Sequence, residues 1–258
     1  MSGIKFGPSG IGAVKDVEET FARYKSLGIR AAEIPFTYGV YINKKEDAEK
    51  IKKAAEKYDI VLSIHAPYWI NLNSEEKEKV EASKKRILDS LKVGTWIGAK
   101  RVVFHPGYYG KKSKQETYKK IKKEIIELEK KRAEKKYSPK LAPETTGKIN
   151  VFGSIEEISQ LVRDTGCSFT IDFAHILARY KTYNFKEVKL AFRKEKSWHV
   201  HFSGIIYGEK GERKHKVTEE KEIKKLIDNL PKTKNIVIIN EAPDPVKDSV
   251  KSINIYKS

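Results

Sequence analysis

A chain of 258 residues, 39% of them hydrophobic, is long enough for one of the larger single-domain α/β folds and apolar enough to bury a sizeable core. No apolar run approaches the roughly 20 residues that cross a bilayer, the N-terminal MSGIKFGPSG lacks the apolar centre of a secretory signal, and one cysteine, Cys167, excludes an internal disulfide framework; together these predict a soluble cytoplasmic protein. Lysine and arginine number 53 against 35 acidic residues, and the net +18 favours a polyanionic partner such as nucleic acid, although Lys/Glu-rich runs such as EIIELEKKRAEKK also serve as solvated helix faces.

In chain order, apolar runs of strand length alternate with helical patterns. The predicted strands are IKFG (4–7), AAEIPF (31–36), IVLSIHA (60–66), RVVFHPG (101–107), KLAPET (140–145), SFTIDFAH (168–175), WHVHFSG (198–204) and NIVIINEA (235–242). Helices are predicted over 15–27, 44–57, 74–97, 114–136, 154–165, 185–194 and 218–229. SIEE at 154–157 has the form of a capping box, and Gly28 and Gly98 stand where helices would end. Near-continuous apolar strands separated by helices imply a parallel sheet covered on its outside. Eight such units in this length, with no glycine-rich phosphate loop at any strand-to-helix turn, predict a closed (β/α)8 TIM barrel, one domain spanning 1–258.

A barrel of this kind builds its site at the C-terminal ends of its strands. Glu33 lies on the second strand; His65, His105 and Glu144 end the third, fourth and fifth. Asp172 lies on the sixth with His175 three residues on, and His201 and Glu241 end the seventh and eighth. One histidine at such a position is ordinarily a hydrogen-bonded core residue. Imidazoles and carboxylates from six consecutive strand ends are different, because without a cation each carries a desolvation penalty of about several kcal/mol. Mixed nitrogen and oxygen donors suit zinc or manganese, and donors in excess of one tetrahedral shell predict a carboxylate shared between ions. His215 sits in GEKGERKHKV, predicted to be a polar loop. His199 shares a strand with His201 and is not expected to ligate.

The ordered set HAPYWINL (65–72), HPG (105–107), ETTGK (144–148), DFAH (172–175), HFSG (201–204) and NEAP (240–243) resembles the endonuclease IV family of apurinic/apyrimidinic endonucleases, over roughly residues 58–245. The resemblance implies a TIM barrel holding two or three zinc ions. His65 and His105 would hold the first, Glu144 would bridge the first and second, and Asp172, His201 and Glu241 would complete the second. His175 and His215 match two ligands of a third. Where the family places an aspartate two residues before that last histidine, this chain has Arg213, a cation that cannot ligate, beside Glu212 as a possible replacement. The family's histidine at the first strand end is replaced by FGPSGIG, and PFTYGVYINKK departs from the family's DNA-inserting loop.

The activity implied is metal-dependent hydrolysis of the phosphodiester 5′ to abasic sites in double-stranded DNA by a metal-bridging hydroxide, with Glu144 and Glu241 as catalytic carboxylates and no organic cofactor. Tyr68 matches a family tyrosine near the abasic-site pocket. Tyr38 and Tyr41 are candidates for stacking on DNA, and Lys111 and Lys112 for its phosphates. The alternative is a xylose isomerase-like sugar isomerase or epimerase working at a single metal held by Glu144, Asp172, His201 and Glu241. A third reading is a protein that binds nucleic acid without cutting it.

Overall fold

The computed structural model describes residues 3–258. Eight parallel strands form the barrel: β1 (Ile4–Pro8), β2 (Ala31–Pro35), β3 (Val61–His65), β4 (Arg101–Phe104), β5 (Lys140–Pro143), β6 (Ile171–Asp172), β7 (Ser197–Phe202) and β10 (Asn235–Asn240). Two arcs, β1-β10-β7-β6 and β2-β3-β4-β5, account for the continuous pairing. The bridges Ser9–Glu33 and Glu144–Thr170 close the ring at its two seams. The predicted TIM barrel is the observed architecture.

The outer wall comprises α1 (Val17–Ser26), α2 (Lys45–Tyr58), α3 (Lys77–Ile97), α4 (Lys114–Glu134), α5 (Ile155–Thr165), α6 (Phe173–Tyr180), α7 (Phe185–Ala191), α8 (Glu220–Asn229) and α9 (Pro245–Lys257). Their apolar stripes face the strands. On α4, Ile121, Ile125 and Leu128 are fully buried at i, i+4, i+7, each stabilising the fold by about 1.5–3 kcal/mol. Strand alternation does the rest. On β7, Trp198, Val200 and Phe202 join the layer between barrel and helices, while His199 and His201 point into the barrel and meet Glu33. Ser154 forms the expected capping box with Glu157, and Gly98 ends α3 at φ 76°.

Three segments differ from expectation. The predicted sixth strand stops at Asp172, whose side chain accepts a 2.7 Å hydrogen bond from the His175 amide and starts α6; His175 therefore rides on a helix's first turn, not a strand. The GEKGERKHKV stretch belongs to an antiparallel hairpin, β8 (Gly204–Gly208) and β9 (Gly211–Lys216), rather than a loop. Ile205 anchors that hairpin on Ala174 and Ala178 of α6. Helix α9 was not anticipated, although Asp244 as N-cap and Pro245 in the first turn are its start signal.

Gly7 marks the tightest strand contact, since a methyl group there would lie 1.7 Å from the Ala31 carbonyl oxygen. Gly7→Ala is expected to destabilise the barrel by about 1–3 kcal/mol through forced strand displacement, read as a lower urea midpoint. An unchanged midpoint would show that β1 and β2 separate freely.

Candidate metal centre

Overlapping donor sets gather at the barrel mouth: His65, His105 and Glu144; Asp172, His201 and Glu241; and His175, Glu212 and His215, with Glu144, Asp172 and His175 themselves close enough to form another. Glu144, fully buried, lies among them. Its Oε2 is 3.4 Å from both His65 Nε2 and His105 Nε2. Its Oε1 is 3.0 Å from His175 Nδ1 and 3.6 Å from His201 Nδ1, which in turn lies 3.6 Å from Glu241 Oε1. His175 Nε2 is 3.3 Å from Glu212 Oε2. Two ligands on one tetrahedral ion with bonds of 2.0–2.1 Å stand about 3.3–3.4 Å apart, and the His65, His105 and Glu212 separations match that spacing.

The polar bookkeeping agrees. Both Glu144 oxygens, Asp172 Oδ2 and His201 Nδ1 are buried and lack a hydrogen-bond partner among the described residues. Such orphans are costly unless something outside the chain meets them.

Three imidazoles are fixed by a hydrogen bond through one ring nitrogen each, and a fourth is held by a nearby carboxylate. His65 Nδ1 meets Ala66 O at 2.9 Å, His175 Nδ1 meets Thr145 O at 3.0 Å, and His215 Nδ1 meets Ser203 Oγ at 2.6 Å. His201 Nε2 lies 3.0 Å from Glu33 Oε1. In each case the other nitrogen is left for the donor set, which is how outer groups orient metal-binding histidines. Glu33 therefore sits one layer below the mouth and supports the site instead of lining it. Ser63 Oγ (2.7 Å) and His199 Nε2 (2.9 Å) hold its other oxygen. Burial lowers His199 to about 4, so it is neutral at pH 7 and its Nε2–H donates to Glu33.

Glu212 was anticipated only as a possible substitute for the family's aspartate. The structure places it with His175 and His215, and the hairpin explains how. His215 pairs with Ile205 and Glu212 with Tyr207, while Arg213 has no partner, a bulge of one residue. On a regular strand positions 212 and 215 face opposite ways; the extra residue returns both to the face turned toward α6. Arg213 is exposed, with its guanidinium lying over Gly208 across the hairpin.

Burial alone would raise the Glu144 carboxyl, but His201 and His105 hold it well below its ordinary value. Burial would lower His65, and the hydrogen bond and charge of Glu144 raise it instead to about 9. His175 and His201 are likewise raised against burial, by Asp172 and Glu33 respectively. Asp172 is raised by burial and by repulsion from Glu144 and Glu241. In the metal-free chain His65 is thus protonated at pH 7, and an ion must displace its proton. Because its folded value exceeds the unfolded one near 6.5, its contribution to metal-free stability is complete below 6.5 and fades as pH rises through 9. Metal affinity moves the opposite way, rising toward pH 9. Calorimetry of zinc binding in buffers of different ionisation enthalpy should record proton release at pH 7; its absence would contradict the pairing of His65 with Glu144.

A cavity of about 520 Å3 opens over His65, His105, His175, His215 and Glu241. Beside it a second, of about 270 Å3, lies between Tyr68, Trp69, Tyr108 and Lys148. Tyr68, Trp69 and Tyr38 are exposed and touch one another, with ring centroids 6.3 and 5.9 Å from Tyr38. Trp69, which sequence reasoning passed over, holds φ 61°, a strained value for an aromatic residue. Tyr41 is half-buried edge-on against Phe36 and serves the rim. Lys111 is exposed at the same end, whereas Lys112 is turned inward to Asn73 O at 3.3 Å and is engaged in holding two loops together.

No helix among the described residues is long and apolar enough to cross a membrane. The family described as "Xylose isomerase-like TIM barrel" matches residues 21–258. "Uncharacterized protein MJ0133" of Methanocaldococcus jannaschii is 40% identical over 222 residues, 81% of this chain and 80% of the relative. "Probable endonuclease 4" of Aquifex aeolicus is 26% identical over 200 residues, 72% of this chain and 68% of the relative. Among solved structures, endonuclease IV from Thermus thermophilus superposes with TM-score 0.71 at 19% identity, over 98% of this chain and 97% of that one. The Escherichia coli 3-keto-D-glucoside 4-epimerase YcjR gives 0.72 at 14%, over 99% of each chain. Likenesses at these identities carry the fold and not the activity. By fold and by family match, the chain belongs to the xylose isomerase-like TIM barrels.

Proposed function

We propose that this protein is a zinc-dependent endonuclease that hydrolyses the phosphodiester 5′ to abasic sites in double-stranded DNA. The observation that carries this reading is the sharing of Glu144. Its Oε2 faces His65 and His105 and its Oε1 faces His201 of a second donor set, with a third set beside them, an arrangement suited to in-line displacement at phosphorus and superfluous for proton transfer beside a sugar carbonyl. Divalent ions, when bound, would generate the nucleophile from water at neutral pH and neutralise the phosphoryl charge. Within the chain, Asp172, His201 and Glu241 hold the deep side of the site and His65 and His105 the open side. The exposed Tyr68, Trp69 and Tyr38 stand where a nucleotide drawn from the duplex would enter. The +18 net charge supplies attraction for the backbone. The resemblance to endonuclease 4 of Aquifex aeolicus supports the same assignment.

Sugar epimerisation is the second reading, because Glu144, Asp172, His201 and Glu241 alone form a one-metal quartet and the epimerase YcjR shares the fold. A labelled duplex carrying one abasic analogue, incubated with zinc-loaded protein and in parallel with chelator, separates the two. A single chelator-sensitive cut 5′ to the lesion is expected. No cut, together with chelator-sensitive epimerisation of a ketohexose, would replace the nuclease by the epimerase.

A further inference from the structure

The segment joining β5 to α5 is pinned by one side chain that no donor set contains. Arg179 stands on α6 one turn beyond His175. Its Nη1 donates to the carbonyl oxygens of Lys148 (2.6 Å) and Val151 (2.9 Å), and its Nη2 to Tyr109 Oη at 3.3 Å. Glu157 fixes the segment's far end by accepting from the amides of Gly153 and Ser154 at 3.0 and 2.9 Å. A planar guanidinium suits such a role, since its donors leave in fixed directions.

The same segment touches the hairpin. Gly147 O accepts from the Glu212 amide at 3.4 Å, and Lys210 O accepts from the Ile149 amide at 3.4 Å. There is no slack between them. A methyl group on Gly147 would lie 2.7 Å from Glu212 Cβ and 3.1 Å from His175 Cδ2, and one on Gly211 would lie 2.1 Å from Gly147 O. β9 pairs with β8 on one edge only, so its bulged backbone takes its position on the other edge from this segment.

We infer that Arg179 is a positioning residue for the third donor set, holding the segment at 147–151 so that Glu212 stays against His175. It touches none of the donors itself. The inference rests on the reading of His175, Glu212 and His215 as a metal set, in which Glu212 is drawn into place by a bulge and needs bracing from outside its own strand.

Zinc titration of the metal-free full chain against a competing chelator, with ions counted by native mass spectrometry, tests it in five proteins: wild type, Glu212→Ala, Arg179→Ala, Arg179→Lys and Gly147→Ala. Glu212→Ala should lose one ion, which tests the metal set itself. Arg179→Ala should weaken that same ion about 10–100-fold, the usual effect of removing an outer support, and leave the others unchanged. Arg179→Lys should recover only part of the loss, since one ammonium lacks the guanidinium's fixed directions, and Gly147→Ala should reproduce the loss with Arg179 intact. Amide exchange at Glu212 should quicken in Arg179→Ala. If Glu212→Ala loses no ion, the third set is not a metal set and the inference falls with it. If Glu212→Ala loses an ion while Arg179→Ala keeps that ion's affinity and exchange, the set stands and the role of Arg179 is refuted. Should Arg179→Ala fail to fold, full affinity in both Arg179→Lys and Gly147→Ala is the refuting result.

Discussion

Glu144→Gln is expected to dismantle two ion sites at once and to lower cleavage of an abasic duplex by roughly 10^3-fold or more. Neither carboxylate oxygen has a hydrogen-bond partner among the described residues, and each faces a different donor set. An amide keeps the volume but supplies one weak oxygen donor and an N–H that repels a cation. Metal stabilisation of charge developing at phosphorus is worth several kcal/mol, and each 1.36 kcal/mol is tenfold in rate, so about 4 kcal/mol corresponds to the drop stated. The layer between barrel and helices is untouched by the change, and far-ultraviolet circular dichroism should be preserved. Elemental analysis and a cleavage assay on the same sample check both halves. Wild-type ion content in the variant would remove Glu144 from the account.

Stripping the metal is expected to be the largest perturbation of stability. An ion present at about 1,000 times its dissociation constant stabilises the folded state by about 4 kcal/mol. For a chain of this size each kcal/mol shifts Tm by about 2–4 °C, so loss of even one ion should lower Tm by roughly 8–16 °C at neutral pH. Restored zinc should reverse the shift. The gap should narrow as the pH falls, because His65, raised to about 9 by Glu144, then competes more strongly for its proton. Scanning fluorimetry with chelator, then with zinc, gives the result directly. Coincident transitions across pH 6–9 would mean that the orphaned carboxylates and imidazoles are met by something other than a cation.

The barrel was legible because its signals are local and repeated: apolar strands, amphipathic helices, and glycines or capping residues between them. The mouth was legible for a related reason. Imidazoles and carboxylates stand where branched apolar residues would otherwise end the strands, and His65, His105, Glu144, Asp172, His201 and Glu241 converge as expected. What escaped depends on tertiary detail. Asp172 turns strand into helix through one side-chain hydrogen bond, and no periodicity reports that. GEKGERKHKV, polar throughout, reads as a loop, and the bulge at Arg213 that brings Glu212 to the side of His215 follows only from the hairpin register. Glu33 was expected with the groups at the mouth, yet it lies deeper, its depth set by partners on β3 and β7 far away in sequence. Trp69 lies inside HAPYWINL but was not singled out, since a positive φ at an aromatic residue follows from its surroundings and not from its type.

The number of zinc ions per chain tests the sharing of Glu144 most directly. Native mass spectrometry of protein loaded with zinc and freed of excess should show more than one ion, with His65→Ala losing one and retaining the rest. A single ion, unaffected by His65→Ala and held by the Glu144, Asp172, His201 and Glu241 quartet, would contradict the shared carboxylate and with it the nuclease.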